Sequence, residues 1–130
     1  NIYLIGTMNT IDRSVESFDF ALRRRFRWEE VVPDMALLKY HLNQFCKAWL
    51  PLVDNLERLN ELIAKEPLLG NDYQIGHAYL MDLKYATSLT VSEVRERVWD
   101  DCIRPLLQEY LRGTGKETEL ISSFGKAFGV

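Results

Sequence analysis

A helical pattern of apolar residues covers about three quarters of this chain. From Asp34 onward, except for an irregular stretch at residues 67–89, apolar side chains recur at spacings of three and four residues, as along one side of an amphipathic helix. Pro51 suits the first turn of a second helix, and a capping-box pattern begins a later one at Thr90. Pro105 lies inside that later pattern and should kink or split the helix. The pattern predicts a bundle of about four helices over residues 34–130.

A different pattern occupies the first 33 residues. Residues 2–5 are apolar without alternation, as in a strand buried on both faces of a parallel sheet, and residues 26–32 alternate as a second strand. Two strands cannot form a stable sheet alone, so further strands are expected upstream in a longer parent protein. We therefore expect a mixed α/β fold that is mainly α. The last part of an α/β core would occupy residues 1–33, and a helical domain residues 34–130.

Overall charge limits the partners that this chain can attract. Its 16 basic and 19 acidic side chains give a formal net charge of -3, so no global field draws it to nucleic acid or anionic lipid. Cys46 and Cys102 have no companions at metal-ligand spacing, and we interpret them as reduced and buried. Neither a signal peptide nor an apolar run of the ~20 residues that a membrane span needs is visible. We expect the cytoplasm, and any basic function must be local.

Three consecutive arginines at positions 23–25 concentrate positive charge in one place. Successive residues of a helix point about 100° apart, so at least one of the three must project away from its own domain. Such a run can be a solvated or ion-paired surface, a nucleic-acid patch, or a source of charge for a phosphate bound by a neighbouring subunit. The run alone does not decide among these three interpretations.

The surrounding sequence resembles a known family. The segments GTMN (residues 6–9), DRS (residues 12–14) and DFALRRRF (residues 19–26) resemble the later half of an AAA+ NTPase core. The closest resemblance is to the McrB family of modification-dependent restriction NTPases. The resemblance implies that residues 2–6 form the sensor 1 strand of such a core and that the helical part is its lid.

Roles for several polar residues follow from this resemblance. Asn9 matches the sensor asparagine, whose uncharged amide can hold the attacking water or a γ-phosphate oxygen. The arginine finger should lie among Arg23, Arg24 and Arg25, with Arg24 and Arg25 preferred because Arg23 directly follows Leu22 and can be engaged within its own domain. Two further residues, Arg13 and Asp12, match a subunit contact, although an ion pair of Arg13 with a nearby carboxylate is an equal alternative.

The segment YQIGHAYL, residues 73–80, resembles the family's Ile-Gly-His-Ser-Tyr-Phe lid motif, with Ala78 in place of serine and Leu80 in place of phenylalanine. By this resemblance Gly76 would let the backbone approach a nucleotide, and His77 would face its base or phosphates. A structural hydrogen bond is the other interpretation of His77.

No phosphate-binding Gly-rich loop and no acidic Walker B strand occur in the sequence, so we expect it to be inactive alone and to be a fragment of a longer protein. The resemblance implies a parent that uses GTP or ATP with Mg²⁺, forms a hexameric ring, works with an McrC-like nuclease subunit and handles DNA. A stand-alone helical interaction module whose basic run binds an acidic partner is the main alternative. A DNA-reading winged helix is a weaker one, since the net charge is acidic. The apolar edge at residues 2–5 also predicts self-association of the isolated chain.

Overall fold

The computed structural model describes residues 2–9, 11, 24–82 and 88–130. The chain divides into two compact units, one ending at Val31 and the other running from Val32 to Val130. Three residues of the predicted site, Asp12, Arg13 and Arg23, lie outside the described residues.

The two strands predicted for the first unit are not seen. Residues 2–9 and 26–31, as far as this unit is described, contain no strand, and neither does residue 32, where the second unit begins. The apolar side chains of residues 2–5 are all at least 76% exposed. A strand is held by hydrogen bonds to a neighbouring strand, and the described residues supply none. The expected two-strand remnant of an α/β core is therefore corrected: the described fold is mainly helical.

The second unit is a helical bundle, as predicted. Its described residues form α1 (Met35–Phe45), α2 (Leu50–Lys65), α3 (Val91–Val98), α4 (Arg104–Leu111) and α5 (Glu117–Phe128). Short 3₁₀ turns lie at Lys47–Trp49, Asn71–Tyr73 and His77–Leu80. None of the helices in the described ranges is long and apolar enough to cross a membrane.

Side-chain caps fix the starts of α1 and α3. The Asp34 carboxylate accepts the backbone N–H of Leu37 at 2.8 Å and so caps α1. At α3, the Thr90 hydroxyl accepts the backbone N–H of Glu93, while the Glu93 carboxylate accepts the backbone N–H of Thr90 at 2.8 Å. This is the capping box that the sequence predicts.

Pro105 splits the helical segment that follows α3. A π turn at Trp99–Ile103 separates α3 from α4, and the backbone N–H of Arg104 bonds to the carbonyl of Trp99, five residues back. Pro105 has no N–H to donate to the turn before it, so a wider turn relieves the clash that a regular helix would impose. The next helix, α4, begins directly after the π turn at Arg104.

The core of this unit forms around α2, whose most extensive helix contacts are with α5. The Asn55 side chain, 5% exposed, donates to the carbonyl of Phe128 at the end of α5. Gly129 then ends the helix in the left-handed region, at φ 94°. The buried apolar residues form one cluster: Leu38, Leu42, Trp49, Leu52, Val53, Leu56, Leu59, Ile63, Ile75, Leu80, Val94, Val98, Trp99, Ile103, Leu107, Leu111, Phe124 and Phe128.

Candidate functional site

The segment of residues 73–80 is fixed to the bundle by two buried side chains. Ile75 is 1% exposed and Leu80 is fully buried, and both belong to the hydrophobic core. Between them, Gly76 and His77 are only half-buried. The apolar anchors therefore hold a short loop whose middle remains accessible to a ligand.

Asn60 of α2 fixes the backbone of this loop. Its Nδ2 donates to the Ile75 carbonyl at 2.9 Å, and its Oδ1 accepts the Ile75 N–H at 2.7 Å. The Asn60 side chain is 4% exposed, so both polar groups of the residue before Gly76 are satisfied away from water. Asn60 was not among the site residues predicted from the sequence. The signal was present, however, because Asn60 falls on the apolar stripe of α2, one residue after Leu59 and three before Ile63.

His77 contacts the start of α1. Its Nδ1 accepts the backbone N–H of Asp34 at 2.9 Å, across 43 positions of sequence. An imidazole nitrogen that accepts a hydrogen bond carries no proton, so the neutral ring has its proton on Nε2. Among the described residues, no hydrogen bond of Nε2 is found. Within the part of the chain that the structure describes, His77 therefore has a structural bond on one nitrogen and an unused donor on the other.

Gly76 occupies an uncrowded position in the loop. Its backbone is extended, at φ -65° and ψ 146°, which any residue can adopt. A Cβ placed on Gly76 would meet no described atom within 4 Å. Neither backbone conformation nor internal packing requires glycine here, so the described structure leaves room for close approach of a ligand to the backbone.

Two tyrosines of this segment, Tyr73 and Tyr79, lie near Tyr110 of α4. The rings of Tyr73 and Tyr110 pack edge to face with their centroids 4.9 Å apart. Burial raises the pKa of Tyr110, and the nearby phenols of Tyr79 and Tyr73 raise that pKa further. Tyr110 therefore stays neutral well into the alkaline range. It contributes an apolar, uncharged wall beside the loop.

Arg24 and Arg25 belong to the first unit. They lie in a turn, both side chains are exposed, and no ion pair among the described residues involves either of them. Surface guanidinium groups without local carboxylate partners can bind an external anion such as a phosphate.

Asn9 is also exposed, and it forms a local turn. Its Oδ1 accepts the backbone N–H of Ile11 at 3.1 Å. This is the Asx turn in which asparagine commonly occurs. The side-chain carbonyl thus accepts one bond, while its second lone pair and the amide NH₂ group can still contact a ligand.

Comparisons with known proteins give two matches. The family model described as "McrB, alpha-helical lid domain" matches residues 51–119. The type IV methyl-directed restriction enzyme EcoKMcrB subunit of Escherichia coli (strain K12) is 40% identical over 119 residues, covering 85% of this chain and 25% of that protein. The chain thus spans about a quarter of the length of this curated relative. No solved structure matches the chain.

The extent of these matches bears on the candidate residues. The lid family match includes Asn60, Gly76 and His77. The match to the E. coli protein covers so much of the chain that it must include Arg24 and Arg25 wherever it begins. Similarity therefore extends beyond the helical lid into the segment that carries the arginines.

Proposed function

The chain belongs to the McrB family, as its lid-domain match over more than half of its residues shows, and we propose that it supplies the lid and the arginine finger of a nucleotide-hydrolysing motor in a restriction system. The main support for this proposal is that similarity to a restriction enzyme subunit continues from the lid through Arg24 and Arg25. A helical module with an unrelated basic run would have no reason to share both parts with one relative.

The proposed nucleotide contact of the lid is the loop at Gly76 and His77. The Ile75 backbone is fixed by Asn60, and the space around Gly76 is open. A rigid loop with free space on its outer side suits a ligand that approaches the backbone closely. In this proposal the loop contacts GTP or ATP, and Mg²⁺ is held by residues elsewhere in the parent protein.

Arg24 and Arg25 are the proposed arginine finger. Their exposure and lack of described ion partners leave them able to reach a phosphate bound by a neighbouring protomer. A guanidinium placed on the transferred phosphoryl group stabilises its developing charge and is worth about 10³-fold or more in rate. Asn9 is proposed as the residue that positions the attacking water, through its amide NH₂ group or the second lone pair of its Oδ1.

We further propose that the segment before the lid joins an AAA+ core supplied by the longer parent protein. In that setting residues 2–5 would find strand partners, and their exposed apolar side chains would be buried. A hexameric ring would place the arginines of one protomer beside the nucleotide of the next. An McrC-like nuclease subunit and DNA would be partners of that assembly.

Nucleotide hydrolysis by the full-length protein tests this function. The Arg24→Ala/Arg25→Ala double variant should lose about 10³-fold or more in kcat while nucleotide binding stays close to that of the unmodified protein. Arg112→Ala is the matched control, because the exposed Arg112 already pairs with a local carboxylate. Its partner Glu109 lies in α4, and Arg112 is the C-cap of that helix. Equal activity of the two variants would refute the finger. It would leave the basic run as a surface for an acidic partner.

A further inference from the structure

The segment of residues 73–80, the candidate lid loop, is tied to two places in the bundle. Asn60 holds the loop backbone at Ile75 from α2, and the bond from Asp34 holds the His77 ring at the start of α1. Asp34 also caps α1 through its carboxylate. One residue therefore joins the first turn of α1 to the loop, using its backbone for the loop and its side chain for the helix.

This geometry restricts what His77 can do for a ligand. With Nδ1 engaged, the neutral ring offers one donor, Nε2–H, and no acceptor. A nucleotide atom that contacts the ring must therefore be an acceptor, such as a phosphate oxygen or a ring nitrogen. Turning the ring over would place a C–H against the Asp34 N–H, and moving the ring proton to Nδ1 would place an N–H there. Either change would leave the Asp34 backbone donor without an acceptor.

We propose that His77 is a two-sided positioning residue: its Nδ1 fixes the lid loop to the start of α1, and its Nε2–H is the donor presented to an acceptor atom of the nucleotide. The contact between Nε2–H and the nucleotide rests on the proposed function, whereas the hydrogen bond between Nδ1 and Asp34 is a property of the chain itself. Movement of His77 on ligand contact would be transmitted to the N-terminal turn of α1, at the start of the lid unit.

Nuclear magnetic resonance on the ¹⁵N-labelled 130-residue chain tests the bond between His77 and Asp34 in the unmodified sequence, and a substitution serves only to assign the signals. Long-range ¹H–¹⁵N spectra should show His77 with its proton on Nε2, together with a scalar coupling across the hydrogen bond between Nδ1 and the Asp34 amide nitrogen. The chain has two histidines, so His77→Gln identifies the signals. A ring protonated on Nδ1 at neutral pH, or a clear absence of the coupling in an otherwise folded chain, overturns the proposal.

Two substitutions separate the two nitrogens in the full-length protein. His77→Asn keeps an acceptor near the position of Nδ1, and His77→Gln keeps a donor near the position of Nε2. We expect His77→Asn to raise the nucleotide KM by about 3- to 10-fold, the value of one hydrogen bond, with kcat little changed. We expect His77→Gln to keep KM and to lower kcat, because the loop is no longer held to α1.

The outcomes distinguish this inference from the arginine finger. Identical kinetic effects of His77→Asn and His77→Gln would contradict the division of labour between the nitrogens, whatever Arg24 and Arg25 do. An intact coupling to Asp34 combined with wild-type KM in His77→Asn would reduce His77 to a structural residue. That result would refute the donor half while leaving the finger unaffected.

Discussion

The Asn60 side chain forms two hydrogen bonds with the backbone of Ile75, one in each direction, at 2.9 Å and 2.7 Å. This pairing satisfies both backbone groups of a buried residue that lies outside any helix. It also determines where Gly76 and His77 are displayed. Asn60, a polar residue in the apolar stripe of α2, thus fixes the backbone of the lid loop at Ile75.

Substitution of Asn60 should therefore destabilise the lid. Asn60→Asp keeps the acceptor for the Ile75 N–H but places a carboxylate oxygen against the Ile75 carbonyl. We expect the free energy of unfolding in urea to fall by roughly 1–3 kcal/mol, the cost of leaving a buried polar group unpaired. Asn43→Asp is the control, since Asn43 is exposed on α1 and donates only to its own helix. Equal effects of the two substitutions would contradict the anchoring role.

Gly76→Ala should separate folding from nucleotide binding. The backbone is compatible with alanine and the space is open, so the stability of the chain should change by less than about 1 kcal/mol, in either direction. Nucleotide affinity of the full-length protein should fall, because the added methyl group occupies the proposed contact. Gly113→Ala should have the opposite pair of effects. Gly113 has a φ of 77°, so alanine there should lower the stability of the chain, while nucleotide affinity should not change. Unchanged affinity in Gly76→Ala would argue against the loop as a nucleotide contact.

Gly125→Ala should destabilise the bundle despite the better helix propensity of alanine. A Cβ at position 125 would lie 3.2 Å from Cζ2 of Trp99, whose ring is 5% exposed and stacks on Phe128. Because Trp99 is nearly buried, we expect the clash to outweigh the gain of about 1 kcal/mol in propensity. Thermal unfolding measures the result. A raised melting temperature would show that the π turn can shift to accommodate the methyl group.

Acid should weaken the start of α3 through Glu93. Hydrogen bonds from the Thr90 backbone and hydroxyl, and then the charge of Arg97, lower the pKa of Glu93 below its ordinary value of 4.5. Its contribution to stability is therefore complete above about pH 4.5 and is lost as the pH falls through the lowered value.

Unfolding curves of Glu93→Gln and the unmodified chain test this dependence. Their free energies of unfolding should differ most near neutral pH and converge in acid. Glu119→Gln, which removes a charge from the first turn of α5, should not reproduce the convergence. Parallel curves for Glu93→Gln and the unmodified chain down to pH 2 would refute the assignment.

Local chemistry explains which parts of the fold were predictable from sequence. The capping box at Thr90 and the split at Pro105 depend on residues within one or two turns, and both occur in the structure. The strand at residues 2–5 depends on partners that the described residues do not provide, so its apolar pattern alone could not produce it.

The candidate site divides in the same way. Gly76 and His77 could be chosen as candidate residues from the motif, because the residues of the motif are contiguous in the sequence. The partner of His77 could not, because Asp34 lies 43 positions away and contributes only its backbone N–H. Asn60 was missed although its position in an apolar stripe was visible, since a buried asparagine reveals its partners only once the chain is folded.

A mixing experiment with the full-length protein shows whether the arginines act across a subunit boundary. Arg24→Ala/Arg25→Ala subunits would be mixed with subunits whose phosphate-binding loop is disabled, and nucleotide hydrolysis would be measured over a range of ratios. If the arginines act on a neighbour's nucleotide, two inactive preparations should together regain activity. If mixtures shown to co-assemble recover no activity at any ratio, Arg24 and Arg25 do not act on the nucleotide of a neighbouring subunit.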